Sequence, residues 1–498
     1  MADMEILLVS PRSGPSIFES FYVCPSFGLL RLAAFMKSRG IYTEYYDPNL
    51  DIASGHLAAF EKKLAERTWN IIGFSVLDDT LEHDIDGMFL AQAIRPEALL
   101  IAGGMEAQFN YQAVLDKTPC RLVVLGEGEI PLLKLSQGVP YQEIPGIVFK
   151  NLATPLDSQQ LTEATRSIDW GEVNYEKYWD WYFEKYPEQA SSDSKRAIQT
   201  IRVSFRNRCP MGCRYCSSTN QLPAASAGHV KVNAVSEECM LEVVDNIVTA
   251  HPDVKTIYIT DDDFCINQKS VIRFCKMIAE QHYRDLSFLC FARATDLTDD
   301  LLQHMAAAGF RQLNIGVETF SQKVLDEIGK TCRIEQVHEG LEKCRKYNLR
   351  VYFNIILITP QSTIEDIETS IRETYRYTSD PFYSVGVNPS ILPFKGSEFS
   401  ELYSDFKSDV YRIRQNGKFL RRDRYIYAAD PDVRELQVRY YQTIDEEMNR
   451  IAREEGAAHR NSVNIGLARL KHVEKLIREM RDERGSTFRF RTATRQES

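Results

Sequence analysis

Three cysteines stand close together in the stretch RNRCPMGCRYCSS: Cys209, Cys213 and Cys216, in CxxxCxxC spacing. They directly follow an apolar run, residues 201–205, that reads as a β-strand. Three thiolates on one short loop suit a cubane iron–sulfur cluster, and three protein ligands leave one iron open to another molecule. Two plainer readings compete. Three buried cysteines would need no metal at all, but this spacing, with an aromatic before the last cysteine and a strand in front, is far more specific than a lone CxxC. A zinc knuckle needs a fourth ligand, and the nearest histidine, His229, is thirteen residues on and alone.

The elements that must carry this loop are legible around it. From residue 200 to about 393 the chain alternates strand and helix patterns, with strands at 200–205, 255–260, 287–292, 312–317, 351–357 and 384–387. Six such units fit a partial (β/α)6 barrel, whose chemistry gathers at the carboxyl ends of the strands. The residues there are informative. TDDDFCIN sets three carboxylates, Asp261, Asp262 and Asp263, at one strand end, and one of them reads as a helix N-cap. Arg293 in FARATDL is either a guanidinium for a carboxylate or a solvated surface residue. NIGVETFS brings Gly316 and Glu318, and NIILITPQST brings Asn354 and the turn Thr359-Pro360.

The first 150 residues also alternate, with strands at 5–9, 41–46, 71–74, 99–102 and 122–125, the pattern of an open parallel sheet covered on both faces. Ligands of such sheets lie outside the carboxyl ends of the strands. The turns there read SPRSGPS, SVLDDT, GGMEAQ and GEGEIP. Gly103-Gly104 and Gly126-Glu127-Gly128 would let the backbone approach a large ligand, although ordinary strand-to-helix turns explain such glycines equally well. Residues 151–198 read as a connector whose segment WGEVNYEKYWDWYFEKYPE clamps two domains with aromatic side chains. Residues 401–427 are mixed in character, 432–455 and 462–484 read as amphipathic helices, and RFRTATRQES reads as a disordered end.

At the cysteine loop the sequence resembles the radical S-adenosylmethionine (SAM) superfamily, whose CxxxCxΦC loop follows the first strand of a partial barrel; here Φ is Tyr215. The DDxF stretch, GVE and VLDEIGK with its helix end at Gly329-Lys330 are similar to the same family. The ordered run PSFGLLRLAAFMKSRG, IIGFSV, IAGGMEA, VVLGEGE and IPGIVF resembles the N-terminal domain of its cobalamin-dependent branch. The resemblance implies a 4Fe-4S cluster on Cys209, Cys213 and Cys216, with SAM chelating the open iron and yielding a 5′-deoxyadenosyl radical. It implies SAM contacts from Tyr215, Asp262, Asp263, Arg293, Glu318 and Asn354. For cobalamin it implies Ser75, Val76, Leu77, Gly103, Gly104, Glu106, Gly126, Glu127 and Gly128. There are departures from the pattern. Ile358 replaces the glycine of a GxPxxT turn, which puts that adenine contact in doubt, and NPSILPFKGSEF resembles the segment that clamps the adenine through its backbone. The cobalt-ligating DxHxxG motif is missing after the first strand, and His83 in LEHDIDG reads as an exposed helix residue, so the lower ligand stays unassigned.

The expected architecture is α/β: a Rossmann-like sheet of the cobalamin-binding type over 1–150, a connector over 151–198, a partial (β/α)6 radical SAM barrel over 199–395 and a helical C-terminal region over 396–498. The expected function is a cobalamin-dependent radical SAM methyltransferase acting at an unactivated carbon of a small metabolite. The alternative is a radical SAM dehydratase, epimerase or rearranging enzyme that binds no cobalamin and needs a proton donor or acceptor, for which Asp263, Tyr383 and Cys290 are candidates. Either needs an electron donor such as flavodoxin or ferredoxin. A net charge of −10 argues against nucleic-acid partners. No apolar run approaches the roughly 20 residues that span a bilayer, and MADMEILLVS lacks the marks of a signal peptide, so the cytoplasm is the expected location. Eleven cysteines in 498 residues make no disulfide scaffold, and none follows Cys344 to hold a second cluster there.

Overall fold

A computed structural model describes residues 4–11, 24–50, 56–77, 80–148, 156–185, 192–218, 232–392, 394, 396–404, 411–415, 418–422, 425–455 and 462–496. Five parallel strands form the first sheet: β1 (Glu5–Val9), β2 (Tyr42–Tyr46), β3 (Ile71–Ser75), β4 (Leu99–Gly103) and β5 (Leu122–Val123), in the order β2-β1-β3-β4-β5. Alternate residues of these strands feed two separate apolar layers. Leu7, Ile72 and Leu100 pack with Phe60, Trp69 and Met88 on one face, and Ile6, Leu8 and Ile101 pack with Phe35 and Met36 on the other. A strand covered on both sides has to be apolar at nearly every position, which is why these runs stand out in the sequence.

The second sheet has six parallel strands in consecutive order: β6 (Thr200–Val203), β7 (Thr256–Ile259), β8 (Ser287–Ala292), β9 (Phe310–Glu318), β10 (Arg350–Ile358) and β11 (Tyr383–Ser390). Helices on its outer side start at side-chain caps: Ser236 accepts from Cys239 N, Thr298 from Leu301 N and Thr363 from Asp366 N. The order runs from β6 to β11 without closing. The β11 edge is covered by the helix Ser462–Gln496, where Arg469 Nη1 donates to Val387 O at 2.7 Å. Gly466 sits so close that an added Cβ would lie 2.4 Å from Val385 O. Covering an edge in this way removes a template for pairing with another chain.

The aromatic connector packs between the two sheets. Trp170 stacks on Phe27 with centroids 6.4 Å apart, the Tyr178 hydroxyl donates to Asp47 Oδ2 at 2.8 Å, and His251 Nε2 donates to Trp170 O at 2.9 Å. Two expectations for the C-terminal part need correction. Within the mixed stretch 401–427 lies an antiparallel hairpin, β12 (Tyr411–Gln415) and β13 (Lys418–Arg422). The final helix also continues through the arginine-rich stretch expected to be disordered, reaching Gln496. That stretch contains no proline to stop a helix, and arginine is a good helix former.

Candidate functional site

Loop 209–216 is held from two sides. Its Arg214 N donates to Ile328 O and its Arg214 O accepts from Phe399 N, both at 3.0 Å, while Arg214 Nε reaches Glu398 Oε1 at 2.9 Å. Gly212 turns the loop at φ +66°, and Gly329, also at φ +66°, lies flat under Arg214, whose Cγ would be 2.8 Å from an added Cβ. Cys209, Cys213 and Cys216 thereby line one cavity of about 370 Å³ at the carboxyl ends of the strands. Burial pushes the Cys209 thiol up to about 12 and Cys216 up to about 11, and raises Cys213 as well. A cationic iron centre is what would hold them as thiolates, and its uptake would release protons. No three His, Cys, Asp or Glu side chains among the described residues converge as on a single metal ion. A cubane, which gives each thiolate its own iron, needs no such convergence. His229 and the zinc reading attached to it lie outside the described residues.

The same cavity is walled by Tyr215, Asp262, Asp263, Arg293, Glu318 and Asn354, so the six side chains implied as SAM contacts come together with the cysteines. Arg293 is 9 % exposed rather than a solvated surface residue, and its Nε has no partner. Asp262 accepts from the Ser218 hydroxyl, and burial raises its carboxyl. Asp263 is buried with its carboxyl against that of Asp296, and burial and that neighbour raise it well above the usual carboxylate range. Of the three aspartates, Asp263 stands at the N-cap position of the short helix Phe264–Ile266, without a side-chain cap hydrogen bond. Asp261 Oδ1 accepts from Ser204 Oγ, Phe205 N and Arg206 N at 2.9, 2.7 and 3.1 Å, tying the end of β6 to β7, and Asn267 caps the following helix.

One residue of this wall had escaped notice as a contact. Lys330 is buried beside the cysteines, where Nζ meets Glu318 Oε1 at 2.8 Å and the Gly316 carbonyl. Glu318 itself has φ +68°, a left-handed backbone that non-glycine residues seldom adopt and that clusters at functional sites. The signal was in the sequence as the GK that ends a helix after GVE, but a lysine at a helix end is ordinarily solvated. Tyr383 and Cys290 fall away from the cavity: Tyr383 opens β11 at its far end and donates to Leu341 O, and Cys290 is fully buried in the core. Of the adenine-clamp segment, Ile391, Leu392 and Phe394 line the cavity, and residues 393 and 395 lie outside the described residues.

A second cavity, of about 410 Å³, opens at the carboxyl edge of the first sheet. Ser75, Gly103, Gly104, Gly126, Glu127 and Gly128 line it, above an apolar well that includes Leu8, Gly73, Ile101 and Val124. An added Cβ would lie 3.0 Å from Leu8 Cδ2 at Gly73 and 2.8 Å from Val76 O at Gly104, where φ is +89°. At Gly73 a side chain would crowd the apolar well, and at Gly104 it would strike the Val76 backbone, so the turn keeps its shape only with glycine there. Val76, Leu77 and Glu106 do not line this cavity: Val76 is buried with its N–H and C=O bonded to Gly103 and Glu106, and Leu77 is exposed. Gln108, which sequence reasoning missed, does line it and accepts from Gly126 N at 2.8 Å. No histidine is among the described lining residues, and His83 is half-buried on the helix Leu81–Ile94 rather than exposed. Residues 12–16 and 78–79 of the first two turns lie outside the described residues.

The far wall of this second cavity belongs to the barrel: Ser204, Arg206, Asn207 and Thr260. Glu127 of the GEGE turn accepts from Arg208 Nη2 at 3.3 Å and lies 3.4 Å from Asn207 Nδ2, one and two residues before Cys209. The two cavities are thus joined through the cysteine loop.

Comparison with known proteins agrees with this division. Residues 203–374 match the model of the radical SAM superfamily, and residues 17–136 match that of the B12 binding domain. An uncharacterised methyltransferase of Pyrococcus horikoshii is 24 % identical over 384 residues, 75 % of this chain and 78 % of its own length. The anaerobic magnesium-protoporphyrin IX monomethyl ester cyclase of Cereibacter sphaeroides is 24 % identical over 76 % of this chain, which spans 60 % of that enzyme. The fold is similar to that of TsrM from Kitasatospora setae, a radical SAM methyltransferase solved with cobalamin and a [4Fe-4S] cluster. The TM-score is 0.63 at 14 % identity, covering 84 % of this chain and 78 % of that one. Among the described residues no helix is long and apolar enough to cross a membrane. A radical SAM domain implies a 4Fe-4S cluster and SAM, a B12-binding domain implies cobalamin, and the cysteine cavity and the glycine cradle fit those groups. The chain thus carries an N-terminal B12-binding domain followed by a radical SAM domain, the make-up of a cobalamin-dependent radical SAM enzyme.

Proposed function

We propose that this enzyme transfers a methyl group to an unactivated carbon of a small metabolite. The observation that carries the reading is the shared wall of the second cavity: loops of the first sheet and strand ends of the barrel face the same space. When bound, the cluster, SAM and cobalamin supply a hydrogen-abstracting radical and a transferable methyl group. The chain's own residues bind and orient. Cys209, Cys213 and Cys216 hold the cluster. Arg293 and Lys330 present cationic donors to a carboxylate, Asp262 and Asp263 accept from an amino group, and Glu318, already engaged by Lys330, keeps acceptor capacity for ribose hydroxyls. Ile391, Leu392 and Phe394 give the same cavity an apolar flank. The glycine turns hold the corrin by backbone approach, and Tyr215 and Asn354 complete the SAM wall. A low-potential donor such as flavodoxin or ferredoxin would supply the electron, and the cytoplasm remains the proposed setting.

Anaerobic protein reconstituted with iron, sulfide and hydroxocobalamin tests this reading. It should retain cobalamin through gel filtration, convert SAM to 5′-deoxyadenosine under reducing conditions, and add one methyl group to its substrate by mass spectrometry. Failure to retain cobalamin sinks the proposal. A second reading, a dehydration or rearrangement without methyl transfer, is favoured by one observation: the buried Asp263 carboxyl faces that of Asp296, and burial and that neighbour raise it, as suits a proton donor. Product of unchanged carbon count would select it.

A further inference from the structure

The guanidinium of Arg206 is buried and short of partners. It lies three residues beyond β6 and lines the glycine-loop cavity with Ser204, Asn207 and Thr260, its side chain only 6 % exposed. Among the described residues neither Nε nor Nη2 has a hydrogen-bond partner. Its ion-pair partner, Asp261, keeps Oδ2 at 3.7 Å from Nε, beyond hydrogen-bond reach, and commits Oδ1 to Ser204 and two backbone amides. Asp261 therefore fixes the turn and faces the guanidinium edge with Oδ2 without satisfying its donors.

Two buried donors left unmade are costly, so an acceptor from outside the chain is the expected complement. The chemistry of that acceptor follows from which donors are open. Nε and Nη2 are the parallel pair on one edge of the guanidinium fork, the edge that takes two oxygens side-on. Elsewhere in this chain Arg166 uses those two nitrogens on both oxygens of Glu242, at 2.5 and 3.2 Å. A single amide carbonyl fills half of such an edge, whereas a carboxylate or a phosphate fills it. The position also matters. Asp263, on the wall of the cysteine cavity, interacts with the charge of Arg206, so Arg206 stands where the two cavities approach one another. A substrate that has to reach both the corrin and SAM passes this edge.

Resting on the methyl-transfer reading above, we propose that the Nε–Nη2 edge of Arg206 anchors an oxyanion of the substrate, which makes the substrate class small carboxylates or phosphate esters. Such an anchor sets which carbon meets the radical, because it fixes the substrate at one end.

Equilibrium dialysis of the holoprotein, carrying cluster and hydroxocobalamin, against radiolabelled acetate and separately against radiolabelled phosphate tests the proposal, with wild type beside Arg206→Gln and Arg206→Lys. One of the two anions should bind wild type at one equivalent. Its affinity should fall at least about tenfold in Arg206→Gln and less in Arg206→Lys, which keeps a point charge but not the fork. The anion preferred decides between carboxylate and phosphate. The assignment is overturned if neither anion binds wild type at one equivalent, or if Arg206→Gln binds as tightly. It is equally overturned if Arg206→Gln instead loses hydroxocobalamin in visible titration or SAM in electron paramagnetic resonance titration of the cluster, because the edge would then belong to a corrin amide or to SAM. Wild type that retains no hydroxocobalamin refutes the methyl-transfer reading by itself, which separates that failure from loss of the anion site. Should Arg206→Gln not fold, Arg206→Lys carries the comparison, and unchanged anion affinity in it would refute a fork-specific anchor.

Discussion

The two cavities are built by opposite means. The cysteine cavity is walled by charged side chains taken out of water: Lys330 against Glu318, Arg293 with an unpartnered nitrogen, Asp263 against the carboxyl of Asp296. The glycine cavity is a cradle of backbone, lined by Gly73, Gly103, Gly104, Gly126 and Gly128. The first kind of site stores electrostatic energy that a ligand can release. The second stores shape, and its energetics lie in backbone conformation and in apolar area at Leu8, Ile101 and Val124. Mutations should therefore act differently on the two sides, through unpaired charge in one and through steric intrusion in the other.

The largest effect belongs to the cysteines. Cys213→Ser should abolish the cluster, removing its visible absorption and all reductive cleavage of SAM, while hydroxocobalamin still binds in spectral titration. Loss of both cofactors together would mean that the two cavities are one folding unit. Next is the buried ion pair. Lys330→Met leaves the Glu318 carboxylate, its side chain 10 % exposed, without a counter-charge on a left-handed backbone. Breaking such a pair costs about 4 kcal/mol, read by urea unfolding, and weakens SAM binding. Adding Glu318→Gln should recover part of the stability, and a double variant worse than either single one would contradict the pairing.

On the glycine side the expected loss is steric. Gly104→Ala puts a methyl 2.8 Å from Val76 O and 2.9 Å from Val76 N at φ +89°. Left-handed strain and overpacking together cost about 3 kcal/mol. Hydroxocobalamin affinity should fall with stability, whereas the SAM-induced change in the cluster spectrum should keep its midpoint.

How these features showed in the sequence follows the same division. The strands of both sheets were legible because parallel strands covered on both faces must be apolar, and the helices between them carry their own caps. Cys209, Asp262 and Glu318 were visible as local patterns at strand ends. Ser204 and Thr260 were not, since what brings them to a cavity wall is the packing of distant elements, and a lone serine or threonine carries no local sign of it, while Lys330 showed only as the GK after GVE. Val76, Leu77 and Glu106 show the converse: neighbours of a glycine turn in sequence need not face what the turn holds. The hairpin of β12 and β13 was missed although its signal is local: Tyr411, Arg412, Ile413 and Arg414 alternate in character and an Asn-Gly pair follows at 416–417.

A smaller effect concerns how the first sheet is fastened to the connector. Asp47, at the end of β2, accepts from Tyr178 Oη at 2.8 Å and from Asn49 N at 2.9 Å, yet burial pushes its carboxyl up to about 6. The unfolded chain ionises this group near 3.9, so between pH 4 and 6 the folded state holds a proton that the unfolded state has released. Stability is therefore highest at the acid end of this window and is lost as pH rises through it. Asp47→Asn should remove about 2 kcal/mol of that decline between pH 4.5 and 6.5 in urea unfolding. An unchanged slope would place the titration elsewhere.

The smallest expected effect tests the joint between the two kinds of site. Glu127 of the glycine turn and Arg208 of the cysteine loop are 9 % and 2 % exposed in their side chains, and meet at 3.3 Å with Glu127 Oε2 left unpartnered. That distance is long for a charge-assisted bond, and glutamine at 127 would keep a carbonyl for Arg208. Glu127→Gln should then cost only about 1 kcal/mol in stability. Its informative readout is the pair of affinities. Hydroxocobalamin should weaken by about fivefold, equivalent to that 1 kcal/mol, because the turn loses its hold on the barrel, while SAM affinity for the cluster stays within about twofold. Equal losses on both sides would mean that Arg208 transmits the state of the glycine cavity to Cys209 directly, and that the opposition between a charged and a steric site breaks down at this one contact.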